Sequence, residues 1–193
     1  MFKQYFSFLK LQWQHYLRQK NIIYRIVEID AQHNIFSLQI KGRNLLIKKD
    51  FFDTISTENL VQNMSALDAS SVGFYCGRLF YASKSSSENP EKNSFNFPFA
   101  LTHQHGRYEL IGQDLRTQEI TYIDKVNSVQ FKELPTAVIQ SDYIINKFDP
   151  TQACYIGVLA GRLIEKTIAR DKTPSSKTIE KLLQKKPQLR VIK

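Results

Sequence analysis

Residues 65–79 read Ser65-Ala-Leu-Asp-Ala-Ser-Ser-Val-Gly-Phe-Tyr-Cys-Gly-Arg-Leu79, and residues 149–163 read Asp149-Pro-Thr-Gln-Ala-Cys-Tyr-Ile-Gly-Val-Leu-Ala-Gly-Arg-Leu163. A constant shift in numbering lays Ala69 on Ala153, Gly73 on Gly157, Gly77 on Gly161, Arg78 on Arg162 and Leu79 on Leu163, with no gap. Both stretches read as helices with strong starts. Ser65 and Asp149 offer capping oxygens, Asp68 and Gln152 stand three places on, and Pro150 occupies the first helical position, where a missing N–H is harmless. Met64 and Phe148 precede the caps as candidate hydrophobic staples.

The glycines decide what these helices do. The chain has seven, and four of them fall inside these two segments. Each weakens its helix by about 0.8–1 kcal/mol relative to alanine, so close packing has to offset several kcal/mol. Ala69, Gly73 and Gly77 form an i, i+4, i+8 stripe of small residues, as do Ala153, Gly157 and Gly161. Such a stripe admits another backbone at short range. The expected arrangement is an antiparallel crossing of the two helices about a pseudo-twofold near Gly73 and Gly157, which would bring Cys76 near Cys154. The alternative is that each stripe packs on its own sheet. Arg78 and Arg162 read either as surface arginines with stems over apolar neighbours, or as a salt-bridge or anion site on the pseudo-twofold.

Outward from the first helix, Phe36, Leu38 and Ile40 alternate with Ser37, Gln39 and Lys41, the pattern of a half-buried strand. Leu45 and Ile47 continue it after the turn at Lys41-Gly-Arg-Asn44, and residues 22–30 supply a strand before it. Residues 50–63 read as a short helical or irregular connection. The plan returns at the same shift in numbering, with Tyr108 on Tyr24, Asp114 on Asp30, Ile120 and Tyr122 on Phe36 and Leu38, and Val129 and Phe131 on Leu45 and Ile47. The fold class expected is α+β: an internal duplication of a small antiparallel β-meander plus terminal α-helix, pseudo-twofold related, with an N-terminal amphipathic helix. Each repeat is small enough that the two are expected to share one core.

The expected boundaries are an amphipathic helix at 1–20, a first α+β repeat at 21–83, a polar linker at 84–94, a second repeat at 95–170 and a basic tail at 171–193. Phe95, Phe97 and Phe99 alternate around Pro98, as an edge strand would. The net charge of +9 is concentrated at the end. From Lys166 onward nine Lys/Arg face only Asp171 and Glu180, whereas the chain before Lys166 carries 18 Lys/Arg against 16 Asp/Glu. The terminus is expected to be mobile in isolation. Two cysteines and no uninterrupted apolar leader fit a reducing, cytoplasmic setting. No run of about 18 apolar residues offers a transmembrane segment.

Chemistry is sparse in this sequence. Gly42, Gly106 and Gly112 stand apart and build no phosphate-cradling loop. His103 and His105 could lie on one strand face, but a metal needs a third donor, so neither metal nor cofactor is expected. Glu28, Asp30, Asp114 and Glu119 fall near turns, the ordinary place for solvated acids. The function expected is therefore non-catalytic: a protein-interaction or adaptor module, or a subunit of a bacterial assembly, with a protein partner and an open oligomeric state. The alternative is a nucleic-acid-binding accessory protein, in which Lys177, Lys181, Lys185, Lys186, Arg190 and Lys193 neutralise phosphates or meet an acidic partner. An enzyme whose residues come from scattered loops is a third reading, because such a site leaves no local signature.

Overall fold

The computed structural model describes residues 22–85, 106–170 and 190–192. The chain first forms β1 (Tyr24–Asp30), β2 (Ile35–Ile40) and β3 (Leu46–Asp50), an antiparallel sheet in the order β1-β2-β3. Phe36 and Leu38 are fully buried, as their alternation requires. Ser37 is buried between them, and its hydroxyl donates to Glu28 at 3.1 Å. The β1–β2 turn is shaped by Asp30, whose Oδ1 accepts the backbone N–H groups of Gln32 and His33 at 3.1 Å each. Asn34 then takes a left-handed backbone with φ of 58°, which asparagine tolerates well.

Two short helices follow, α1 (Phe51–Ser56) and α2 (Glu58–Gln62), and then the long α3 (Ala66–Ser85). The second half runs β4 (Tyr108–Gln113), β5 (Ile120–Asp124), β6 (Val129–Glu133), α4 (Pro135–Ile139), α5 (Asp142–Ile145) and α6 (Pro150–Arg170). A last strand, β7 (Arg190–Ile192), adds to β6 and completes a sheet in the order β4-β5-β6-β7.

The strand registers of the two halves agree at the shift that aligns the helices. Tyr24 opposes Ile40 as Tyr108 opposes Asp124, and Leu38 opposes Ile47 as Tyr122 opposes Phe131. Each first strand carries a bulge at the same place, leaving Val27 in one and Ile111 in the other out of register. Asp114 repeats the turn chemistry of Asp30 by accepting from Arg116 at 2.8 Å and Thr117 at 3.2 Å, and Gln118 matches Asn34 with φ of 61°.

Burial divides into two clusters instead of the single core expected. One gathers Phe36, Leu38, Phe51, Val61 and Val72 and takes in Cys154 and Val158 from α6. The other gathers Tyr108, Ile120, Tyr122, Phe148 and Ile156 and takes in Ala66 from α3. Each sheet therefore has its own apolar layer, and the long helices stitch the layers together. Aromatic pairs anchor both, with Phe36 and Phe51 stacked at 4.3 Å and Tyr122 and Phe131 at 5.2 Å between centroids.

Three further expectations need correcting. The long helices do not cross antiparallel. Along α3 the residues that meet α6 rise in the same order on both sides: Gly73 lies against Cys154 and Val158, Gly77 against Val158, and Arg78 reaches Glu165. Antiparallel helices would pair them in opposite order. Where a mobile terminus is expected, Arg190–Ile192 pairs with β6 in register Lys132↔Arg190, Phe131↔Val191 and Gln130↔Ile192. In addition, α3 runs to Ser85, past the start of the stretch assigned to the linker. The N-terminal helix at 1–20, the rest of the linker, the Phe95–Phe99 segment and the His103–His105 pair lie outside the described residues.

Candidate functional site

The seam between α3 and α6 is built from glycine backbone. A β-carbon added at Gly73 would lie 2.8 Å from the Cys154 carbonyl carbon, nearer still to its oxygen, and 3.0 Å from the Val158 nitrogen. At Gly157 it would meet the Phe74 nitrogen and the Ser70 carbonyl carbon at 2.9 Å. Cys154 and Val158 are the counterparts of Ser70 and Phe74 in the second half, so the two glycines meet corresponding atoms of the opposite helix. Gly77 and Gly161 continue the seam against Val158 and against Phe74 and Arg78. Ala69 and Ala153 are fully buried at its start.

The helix starts are tied to the bulged strands. Ser65 Oγ accepts the Asp68 N–H at 3.0 Å and donates to its carboxylate at 2.9 Å, and Asp149 Oδ1 accepts the Thr151 N–H at 2.9 Å. The residues three places after the caps do more than the sequence suggests. Gln152 Oε1 accepts the Leu110 N–H at 3.2 Å, and the Ile26 N–H lies near enough to the Asp68 carboxylate to favour its charged form. Ile26 and Leu110 are the residues just before the two bulges. A bulge disrupts local sheet pairing, and here a side chain from the helix start serves the adjoining strand N–H.

Arg78 Nε donates to Glu165 Oε1 at 2.6 Å, bridging the far end of the seam, and its guanidinium stands 5.9 Å from the Phe74 ring. Arg162 is half-buried and has no ion-pair partner among the described residues. Cys76 and Cys154 are free thiols in the first hydrophobic cluster. Burial pushes both thiols well above their ordinary range, and Cys76 donates to the Phe51 carbonyl at 3.1 Å. Neither is a nucleophile at neutral pH.

The acids singled out in the sequence are dispersed by the fold. Glu28 holds Ser37, Asp30 and Asp114 shape turns, and Glu119 lies 3.8 Å from Lys132. Two buried acids of the second half are not evident in the sequence. Asp124 takes a forked pair of bonds from Arg107, with Nη2 to Oδ2 at 2.6 Å, and also accepts from the Val126 N–H and the Asn127 amide at 2.9 Å each. Burial works to raise the Asp124 pKa, but these bonds together hold it below the ordinary carboxylate value. Glu133 is buried, accepts from the Tyr122 hydroxyl at 3.2 Å, and leaves Oε1 without a hydrogen-bond partner among the described residues. Burial raises its pKa. Arg107 lies 17 residues from Asp124 and Tyr122 lies 11 from Glu133, so no short motif announces either pair.

Among the described residues the first sheet presents an open edge. Leu45 and Leu46 are 48% and 58% exposed, beside Lys48 on the outer strand β3. The corresponding edge of the second sheet is covered by β7, while β3 has no outer partner strand among the described residues. Among the described residues no three His, Cys, Asp or Glu side chains converge as a metal site, and no helix is long and apolar enough to cross a membrane. Lys177, Lys181, Lys185, Lys186 and Lys193 lie outside the described residues, and Arg190 stands in β7. No family model, no curated protein and no solved structure matches the chain.

Proposed function

We infer that the protein is a non-catalytic protein-interaction module, built as two copies of one meander-plus-helix unit. Several correspondences at one constant shift in numbering support the duplicated plan: the strand registers, the bulges, the aspartate turns, the Asp68 and Gln152 acceptors, and the reciprocal glycine contacts. Because the long helices run in the same sense, a pseudo-twofold relating them lies along the seam and not across it. Chance agreement would have to recur at each of these independent features.

The observation that carries the interaction reading is the asymmetry of the two sheets. In the second, β7 covers the outer strand; in the first, the outer strand is flanked by exposed Leu45 and Leu46. Exposed apolar residues beside an open strand edge are the surface that strand-pairing partners use. Affinity capture from the native host with the wild-type chain and with a Leu45→Glu/Leu46→Glu variant tests it. The same partner should be retained by the first and lost by the second. Equal retention by both removes the reading.

A nucleic-acid role has separate support in the concentration of positive charge from Lys166 onward. It requires binding to DNA or RNA that weakens with salt and disappears when residues 171–193 are removed.

A further inference from the structure

The geometry points to the outer edge of β3 as a docking site for an extended segment of another protein with the pattern acidic–apolar–apolar, paired antiparallel to Lys48, Ile47 and Leu46. This rests on the interaction reading above and names the chemistry of the partner. The Phe51 N–H donates to the Asn34 carbonyl at 2.9 Å and the Ile40 N–H to the Leu45 carbonyl at 3.3 Å. Residues 45, 47 and 49 therefore bond inward to β2, and the backbone N–H and C=O groups of Leu46 and Lys48 face the open edge.

The second half shows how such an edge is filled. There β7 runs antiparallel on β6, with Arg190, Val191 and Ile192 opposite Lys132, Phe131 and Gln130. Transferred to the equivalent positions of the first half, the same register sets three successive residues of an incoming strand opposite Lys48, Ile47 and Leu46. Ile47 is half-buried on the core face and asks for an apolar partner, and exposed Leu46 asks for another.

Charge selects the first position. In the second half the ammonium group of Lys132, the residue in register with Arg190, is held by Asp114 at 3.4 Å and Glu119 at 3.8 Å. Among the described residues Lys48 has no such pair. At the equivalent positions of the first half stand Asp30, already bonded to His33 at 2.7 Å, and the apolar Ile35. A basic strand such as the chain's own end is therefore disfavoured on β3, and an Asp or Glu opposite Lys48 is favoured.

The test uses the full chain, isotope-labelled, and two synthetic peptides: Ser-Thr-Glu-Val-Ile-Thr-Ser and the same peptide with Lys in place of Glu. The acidic peptide should shift the amide signals of Leu46–Asp50 in a saturable way and bind more tightly than its basic counterpart, by about three- to tenfold. Lys48→Glu, on an exposed position, should reverse that order without altering the melting temperature. Shifts confined to Val129–Glu133, equal binding of both peptides, an unchanged order in Lys48→Glu, or no binding would each overturn the docking site. In that last case the lysine merely guards the edge. Host-partner capture that persists while the acidic peptide fails would leave the interaction reading standing and remove only this site.

Discussion

Replacing Gly73 by alanine sets two effects against each other, and the seam geometry decides between them. Alanine favours the helix by about 0.8–1 kcal/mol. Its β-carbon, however, would stand 2.8 Å from the Cys154 carbonyl carbon, where ordinary contact begins at 3.4 Å, with the carbonyl oxygen closer still. The obstacle is backbone and cannot rotate away, so α3 and α6 must separate by well over half an ångström. Separation also loosens Cys154 and Val158 in the first cluster and the seam at Gly77. Overpacking of this kind costs about 3 kcal/mol or more, for a net loss of about 2 kcal/mol. For a chain of this size that is a fall in Tm of roughly 4–8 °C by calorimetry or circular dichroism. Gly157→Ala should cost a similar amount, and the double variant less than the sum, because one retreat of the helices relieves both clashes. Gly112→Ala is the control, since a β-carbon there meets nothing within 4 Å. An unchanged or raised Tm in Gly73→Ala, or full additivity in the double variant, would refute this account of the seam.

The remaining predictions concern the buried polar groups and the thiols. Asp124→Ala leaves Arg107 without its partner and should destabilise the chain by about 3–5 kcal/mol in a urea titration. Because the folded Asp124 pKa is lowered, the stability it contributes is present above the unfolded value of 3.8 and is lost as pH falls through the folded value. Glu133 has the opposite sign. Its folded pKa is raised, so wild-type stability declines as pH climbs from 4.5 through the folded value, and Glu133→Gln removes that decline. The variant should therefore gain on the wild type as pH rises from about 4 to about 7, read from paired melts. Cys76 and Cys154 should resist a thiol reagent in the native protein at pH 7.5 and react fully in urea.

Much of the architecture was legible because it rests on local periodicity. Alternation at Phe36, Leu38 and Ile40 announced a strand, and capping residues at Ser65 and Asp149 announced helix starts. The spacing of Gly73 and Gly77 announced a close approach. Helix direction was not legible, since a stripe at i, i+4, i+8 looks the same to a partner running either way. The role of Gln152 was hidden for a related reason: its spacing from Asp149 fits a capping box, yet its acceptor serves Leu110 on a strand 42 residues earlier. Arg190–Ile192 stands out in the sequence only for its charge, since so short a strand cannot show alternation. The open edge of β3 became visible only by comparison with the filled edge of β6, which is a fact of tertiary structure.

The central claim is that two equivalent units are clasped in the same sense along the seam, and spin-label distances test it most directly. Ser71 and Tyr155 are equivalent positions in the two halves, as are Ala82 and Lys166. With cysteine-attached nitroxides, the pseudo-twofold predicts equal Ala82–Tyr155 and Ser71–Lys166 distances. Both should exceed the Ala82–Lys166 distance, because the stretch of helix from 71 to 82 adds an axial displacement of about 16 Å. Unequal cross distances, or an Ala82–Lys166 distance longer than either, would contradict the account.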